Sequence, residues 1–275
     1  MKFTHLKFEA EDGVATLTLN RPEARNALSP EMRQDLDAAL NLLKAGAGSQ
    51  YRVVILTGAG AAFCAGGDVK AMNARPAVGQ DTNTAHATRK HMRDGHNRLI
   101  DLMNLELPVI VAVDGPAAGG GFNLALAGDI ILASDRALFI QSFVRIGLVP
   151  DWNGLFLLPR IVGLQKAKEI MFSGRRIDAR EAKSLGIVHS VYSPEELMPA
   201  ARRMARKFCR APTEVIGLTK NALNQSFHLD AKSVLELEAY AQSIAQAGAY
   251  HREATARFAK KEKALFDWDA RDQDD

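Results

Sequence analysis

The chain has 275 residues, 47% hydrophobic and 24% charged, with a formal charge of only +3. Such a length buries a large core, as one domain with an appendage or as two small ones, and the mix is that of an ordinary enzyme. So small a positive excess argues against a dedicated nucleic-acid binder, and no apolar run approaches the ~20 residues that cross a bilayer. The two cysteines, Cys64 and Cys209, stand far apart with no metal-ligand spacing, which leaves no disulfide framework beyond one pair and fits a reducing cytoplasm. Met1-Lys2-Phe3-Thr4-His5 lacks the pattern of a signal peptide, and the acidic stretch from Asp267 to Asp275 reads as a solvated end.

Val14 to Leu19 alternates as a strand that Asn20-Arg21-Pro22 ends. Ser29-Pro30-Glu31 reads as an N-cap, a first-turn proline and an early acid, followed by Met32, Leu36, Leu40 and Leu43 at helical spacing. Val53 to Leu56 is a buried strand, residues 58–67 a loop, and Asp68 the start of a helical stretch. Asn73 to Arg89 is polar, with Pro76 and Gly79, and reads as a mobile loop or a poorly packed helix. His91 to Leu105 is a helix stopped by Pro108, and a second unit of strand 109–113, glycine turn and helix 122–127 repeats the first. Strand 129–133 follows, then helix 155–172 broken at Gly163, a capping box Asp178-Ala179-Arg180-Glu181, and strand 188–192. From Pro194 the chain is helical, with a stripe of Leu197, Ala201, Met204 and Phe208 and further helices over 231–247 and 254–266. The division is an α/β core over 1–193 and a helical region over 194–275.

Two glycine turns carry the chemistry: Phe63-Cys64-Ala65-Gly66-Gly67-Asp68 and Ala117-Ala118-Gly119-Gly120-Gly121-Phe122. Each follows an apolar strand and leads into a helix, so each presents bare backbone N–H groups. Two such turns facing one another form the geometry of an oxyanion hole. A dinucleotide site is the weaker reading, because neither turn has G-x-G-x-x-G.

Asn20-Arg21-Pro22-Glu23-Ala24-Arg25-Asn26-Ala27-Leu28, the two glycine turns, Ser173-Gly174-Arg175-Arg176-Ile177 and Ala182 to Val188 together resemble the crotonase (enoyl-CoA hydratase/isomerase) superfamily from about residue 5 to residue 266. The resemblance implies a spiral of ββα units with a C-terminal helical region used in trimerisation, and an acyl-CoA thioester as ligand. It puts oxyanion donors at the N–H groups of Gly67 and Gly120. Ala24, Arg25, Ala27, Ala65, Asp68, Val69 and Lys70 are placed around CoA, with Phe258 and Lys261 reaching that site from the helical region. It implies no cofactor beyond the CoA of the substrate, no metal, no nucleic acid and no membrane.

Hydratases of the family use two glutamates, and here those positions hold Asn123 and Phe143. Water addition needs one group to activate water and another to protonate carbon, so ordinary hydratase activity is not expected. Asp151, in Gly147-Leu148-Val149-Pro150-Asp151-Trp152, matches the aspartate of the epoxyphenylacetyl-CoA isomerase type, whose members also shift double bonds in enoyl-CoA. One carboxylate suffices to take a proton beside the thioester and return it two carbons along. Partial desolvation beside Trp152 and Phe143 would raise its pKa. The competing role for Asp151 is a helix N-cap.

His96 matches the catalytic histidine of the 4-chlorobenzoyl-CoA dehalogenase branch, which also has an aspartate at the place of Asp151. Phe143 stands where that branch has a tryptophan donating to the aspartate. Asp151 and His96 therefore support a second reading, a hydratase-like or dehalogenase-like reaction. Binding of acyl-CoA or a partner without turnover is a third. Cys64 reads as a small residue required by its turn rather than a nucleophile. The expectation is a cytoplasmic homotrimer, or a dimer of trimers, that isomerises an unsaturated acyl-CoA with Asp151, Gly67 and Gly120.

Overall fold

A six-stranded sheet forms the backbone of the computed structural model, which describes residues 2–68 and 84–270. Its strands are β1 (Leu6–Glu11), β2 (Val14–Leu19), β3 (Val53–Gly58), β4 (Val109–Val113), β6 (Ile130–Ser134) and β9 (Ser190–Tyr192), in that spatial order. The β1–β2 pair is antiparallel and every later pairing is parallel. A second sheet orders β5 (Pro116–Ala118), β7 (Leu138–Ile140) and β8 (Arg176–Asp178). Strand β1 is absent from the sequence reading, although Asp12 and Gly13, at φ 49° and 81°, form a two-residue hairpin turn. The three-residue strands of the second sheet are absent from it too, being too short for periodicity to register.

Successive residues of a strand face opposite sides, and this sheet is buried on both. Val54, Leu56, Val109, Val111 and Val113 join the larger core. Helix α1 (Pro30–Gly46) adds Met32, Leu36, Leu40 and Leu43, capped by Ser29, whose hydroxyl accepts from the Met32 N–H at 3.2 Å. The alternate residues Val53, Ile55, Ile110 and Ala112 pack with Leu132 against Leu197, Ala201 and Ala205 of α8 (Pro194–Arg210).

Helices α2 (Ala85–Asp94) and α3 (His96–Met103) meet at Gly95, so the expected single helix from His91 is two, and residues 85–89 of the expected loop belong to the first, capped by Thr84. The rest of that loop, residues 73–83, and the helix expected from Asp68 lie outside the described residues, save Asp68 and Thr84 themselves. Helix α4 (Gly120–Leu126) begins inside the second glycine turn. Helices α5 (Gly154–Val162) and α6 (Leu164–Ser173) break at Gly163 as expected, and Asp178 caps α7 (Ala179–Ser184) by accepting from the Glu181 N–H at 2.8 Å.

The chain closes with α9 (Thr213–Gln225), α10 (Ala231–Ala247) and α11 (Ala249–Ala259). The last ends at Lys260, where Lys261 turns to φ 57°, so the helix expected over 254–266 begins and stops earlier than its apolar spacing implies. Helices α10 and α11 bury no residue, and Leu235, Tyr240 and Phe258 are 63%, 69% and 87% exposed. Among the described residues no helix is long and apolar enough to cross a membrane, and no three His, Cys, Asp or Glu side chains gather as metal ligands.

Helix α9 is fastened to the start of β4 by charge. Lys220, 7% exposed, donates to the Leu107 carbonyl at 3.1 Å and to Asp129 at 2.8 Å, and Asp129 also accepts from the Val109 N–H at 2.7 Å. Removing one partner of an enclosed pair leaves the other's charge uncompensated. Lys220→Ala should cost roughly 3 kcal/mol in urea unfolding, with part of the loss restored by adding Asp129→Asn.

Candidate active site

Asn26 builds the first turn. It is fully buried at φ 56°, and its Nδ2 donates toward the carbonyls of Ala59, Ala62 and Phe63 at 2.9, 2.8 and 3.2 Å. Its Oδ1 accepts from the Arg21 N–H at 2.9 Å. One amide thus gathers two loops that the sequence separates by over thirty residues. The Ala65 N–H then donates to the Arg25 carbonyl at 2.9 Å and the Leu28 N–H to the Gly66 carbonyl at 2.8 Å. This aligns Ala24, Arg25 and Ala27 with Ala65 and Asp68, and Arg21 closes the group with a 2.6 Å ion pair to Asp68. The sequence reading assigns Asn26 no role, since its three carbonyl partners exist only once the loops are folded.

The two turns interlock through backbone. The Cys64 N–H donates to the Pro116 carbonyl at 3.1 Å and the Ala118 N–H to the Cys64 carbonyl at 2.9 Å. Gly66 sits at φ +86°, and a methyl group built on it would lie 2.5 Å from the Ala118 oxygen and 3.2 Å from the Gly120 nitrogen. A methyl on Gly121 would lie 2.4 Å from the Cys64 oxygen. Contact this close leaves room for no side chain, and it sets the Gly66–Gly67 peptide beside the start of α4. Gly120 is the first residue of that helix, so its N–H has no intrahelical acceptor. The Cys64 thiol is spent on this packing: Sγ donates to the Asn26 carbonyl at 3.1 Å, and burial pushes its pKa up to about 12.

Asp151 lies on the turn before α5. Its Oδ1 is buried and has no hydrogen-bond partner among the described residues. Burial raises its carboxyl to about 6, opposed in part by the positive charge of Arg33, by its own backbone N–H and by His96. The N-cap role is not what it plays. The cap position of α5 is Asn153, and Asp151 takes part only through its backbone carbonyl, which accepts from the Gly154 N–H at 3.0 Å. Trp152 and Asn153 both adopt left-handed backbone, at φ 49° and 61°. The Trp152 indole packs over Gly120, its Cδ1 lying 3.1 Å from where a methyl on that glycine would stand. The residue after the carboxyl therefore touches a candidate oxyanion donor.

The positions that carry glutamates in hydratases are closed. Asn123 is fully buried and Phe143 is 7% exposed, its ring 3.6 Å from where a methyl on Gly119 would lie. A cavity of about 260 Å³ is lined by Arg33, Met92, His96, Arg98, Leu99 and Trp152, the residue after Asp151, among others. His96, the first residue of α3, is on its wall, as is Arg98, which pairs with Asp37 at 2.6 Å and lies 5.6 Å from the Trp152 ring centre. Val69 and Lys70 lie outside the described residues. Phe258 stands apart from the glycine turns in its own chain, on a separate cavity with Pro212, Tyr250 and Phe266, and Lys261 follows it past the end of α11.

A mixed sheet with interlocked glycine turns and a trailing set of helices is the crotonase fold, a frame for processing acyl-CoA thioesters. Residues 9–271 match the enoyl-CoA hydratase/isomerase family, and the chain belongs to it. It is similar to a 1,2-epoxyphenylacetyl-CoA isomerase of Escherichia coli strain K12, with 37% identity over 93% of this chain and 95% of that one. It is also similar to a 4-chlorobenzoyl coenzyme A dehalogenase of an Arthrobacter species, with 34% identity over 94% of this chain and 91% of the other. Among solved structures, an enoyl-CoA hydratase/isomerase from Cupriavidus metallidurans CH34 superposes with a TM-score of 0.91 at 37% identity, covering 99% of this chain and all of that one.

A thiol this deeply enclosed does not react from the folded state. Titration of the native protein with a disulfide reagent should register at most one thiol, the half-buried Cys209, and two in denaturant. Rapid native modification of Cys64 would contradict its packing role.

Proposed function

We propose that this enzyme shifts the double bond of an unsaturated acyl-CoA, with Asp151 as the proton shuttle and the N–H groups of Gly67 and Gly120 as oxyanion donors. The Asp151 Oδ1 carries the reading: a buried oxygen without a partner among the described residues, on a carboxyl with its pKa near 6 and a turn packed against Gly120. Buried acceptors are ordinarily satisfied, so an orphan whose neighbour Trp152 lines a cavity is read as a group awaiting its partner. With a 3-enoyl thioester, the carboxylate takes a proton from C2. The electron pair spreads over the dienolate, whose charge the two N–H groups hold on the thioester oxygen, and the same proton returns at C4 to leave the conjugated 2-enoyl product. A carboxyl with its pKa raised toward neutrality suits both halves, since it neither holds the proton too weakly nor gives it up too reluctantly. No cofactor is called for, the CoA being part of the substrate, and the exposed Arg25 suits the CoA phosphates.

A second reading is supported by the cavity that His96 and Trp152 share: attack of Asp151 on an activated aryl-CoA with release of halide, and His96 activating water for hydrolysis of the ester. Against it, no donor reaches the buried Asp151 oxygen among the described residues, where an indole would serve in the dehalogenase branch.

The reading includes assembly as a homotrimer, alone or as a dimer of trimers. What supports it is the apolar surface of the last helices, where Leu223, Phe227, Leu235, Tyr240 and Phe258 are each more than 60% exposed. Patches of this kind on a water-facing chain mark interaction surfaces. The same surface would carry Phe258 and Lys261 to a neighbour's CoA site. Free thiols at Cys64 and Cys209 suit a reducing compartment such as the cytoplasm.

The test follows a 3-enoyl-CoA at the absorbance of the conjugated 2-enoyl thioester. Wild type should generate that band, and Asp151→Asn should lose most turnover while retaining CoA binding. Because the carboxylate form starts the reaction, kcat/KM should rise with pH through about 6 and level off above it. A fully active Asp151→Asn would remove the shuttle. Chloride release from 4-chlorobenzoyl-CoA in place of isomerisation would favour the second reading, and CoA binding without turnover of either substrate the role without chemistry.

The raised carboxyl also bears on stability. A group whose folded pKa lies above its unfolded value binds more protons folded, so it destabilises increasingly as pH rises through that window. Asp151→Asn should therefore melt at or above the wild-type temperature at pH 8 and lose that advantage near pH 4. Calorimetry at the two pH values measures it.

A further inference from the structure

Behind Asp151 lies a short chain of buried amides that the reaction itself does not use. Asn123 Nδ2 donates to the backbone carbonyl of Asp151 at 2.7 Å, and Gln141 Nε2 donates to Asn123 Oδ1 at 2.6 Å. Both side chains are fully buried. The polarity of this chain is forced. A peptide carbonyl only accepts, so the Asn123 nitrogen must face Asp151, its oxygen must face Gln141, and Gln141 must present nitrogen. Gln141 is left with a buried Oε1 that has no partner among the described residues, a cost the arrangement bears in order to hold Asn123 in this orientation.

The other side of the Asn123 amide is walled by the start of α5. A methyl group built on Gly154 would lie 2.3 Å from Asn123 Nδ2 and 2.5 Å from its Oδ1. Asn123 is therefore fixed by Gln141 on one side and the Gly154 backbone on the other. Between the carbonyl it grips and that glycine lie Trp152 and Asn153, the two left-handed residues. Non-glycine residues in this region are strained and persist only where their surroundings over-determine them. Asn123 also stands on α4, three residues beyond Gly120, so the same short helix carries an oxyanion donor and the grip on the turn.

We infer that Asn123, oriented by Gln141, is a positioning residue that clamps the left-handed turn and so holds the Asp151 carboxyl in register with the Gly120 N–H, away from water. This rests on the reading of Asp151 as the shuttle for its catalytic consequence, though not for its structural one. The hydratase glutamate position has, on this view, changed work: a side chain that would touch substrate has become one that touches the backbone of the residue doing so. The same geometry requires glycine at 154, where a methyl group would meet the Asn123 amide. The charged groups that bear on the Asp151 carboxyl are Arg33 of α1 and His96 of α3, and neither belongs to the amide chain.

Asn123→Leu approximates the volume while deleting the donor, and Asn123→Ala deletes both. Gln141→Met leaves Asn123 in place without its orienting partner, and serves where the Asn123 variants fail to fold. Circular dichroism and melting verify folding. The carboxyl of Asp151 is titrated by carbon NMR of labelled protein, assigned by its absence in Asp151→Asn. Loosening the turn admits water to the carboxyl, so its pKa should fall from about 6 toward the ordinary aspartate value in each folded variant. Misplacement of a reacting group by about 1 Å costs roughly a hundredfold, so kcat should fall by about tenfold to a hundredfold with KM nearly unchanged. Gln141→Met should show the same direction with smaller size.

Folded Asn123 variants that keep both the wild-type titration and the wild-type kcat would overturn the clamp. A loss of thermal stability with the titration unmoved would overturn it as well, leaving plain packing. Because the titration needs no substrate, it stands even if the wild-type enzyme leaves 3-enoyl-CoA untouched. In that case the shuttle reading fails and the clamp is judged on the NMR alone.

Discussion

The closure of the two glycine turns on each other is the constraint on which the remaining structure depends. Two backbone hydrogen bonds, Cys64 N–H to Pro116 and Ala118 N–H to Cys64, splice a loop after β3 onto the first strand of the second sheet. That splice is made at separations where a methyl group on Gly66 or Gly121 would overlap a carbonyl oxygen. Everything with a candidate part in chemistry is positioned from it. Asn26 pulls the Arg21–Leu28 stretch onto the first turn, α4 springs from the second, and Trp152 rests on Gly120. Backbone donors fixed by such packing need not reorganise as charge develops on a bound thioester, which is what gives preorganised sites their advantage over water.

Against this rigid frame, Asp151 is held at an energetic loss. Its carboxyl is drawn out of water with Oδ1 unpartnered among the described residues, and the two residues after it occupy left-handed backbone. Neither feature stabilises the fold. Both persist because several independent contacts fix the turn: the Asn123 amide on the Asp151 carbonyl, the Trp152 indole between Gly120 and Arg98, and the Asn153 amide, which donates to the Met103 sulfur at 3.3 Å. Met103 in turn receives Asn224 of α9 on its carbonyl at 2.8 Å, and Phe156 of α5 stacks on His228 with ring centres 4.9 Å apart. The strained turn is thus braced on one side by α4 and on the other by the C-terminal region.

Much of the frame was legible in the sequence because its signals are local. The glycine run after Val113, Ser29-Pro30 before an amphipathic stretch and Asp178 before Glu181 each specify their own neighbourhood, and each forms the element its spacing implies. Legibility ends where partners are distant or elements short. The strands Pro116–Ala118, Leu138–Ile140 and Arg176–Asp178 owe their existence to one another, and no three-residue segment announces that. Apolar spacing past residue 260 reads as helix, yet the chain turns at Lys261. In the site, Asp151 stands out by position, whereas Gln141 carries no signal at all. Its meaning depends on Asn123, whose meaning depends on a carbonyl brought to it by a turn that propensity alone would not form.

The absence of the two hydratase glutamates acquires a physical sense from this. A vacancy left by losing a carboxylate would be a smaller side chain facing the cleft, open to water and open to reversal. Position 123 is instead occupied on every side, by the Asp151 carbonyl, by Gln141 and by the Gly154 backbone. Position 143 is filled by a phenyl ring against Gly119. The surfaces that would hold an activated water over the thioester are replaced by an amide turned inward and a hydrocarbon face. Under the proposed isomerase reading, neither position offers a carboxylate to activate water while the proton is moved. On the proposed reading it is these two positions, and not the candidate oxyanion donors, that separate moving a proton from adding water.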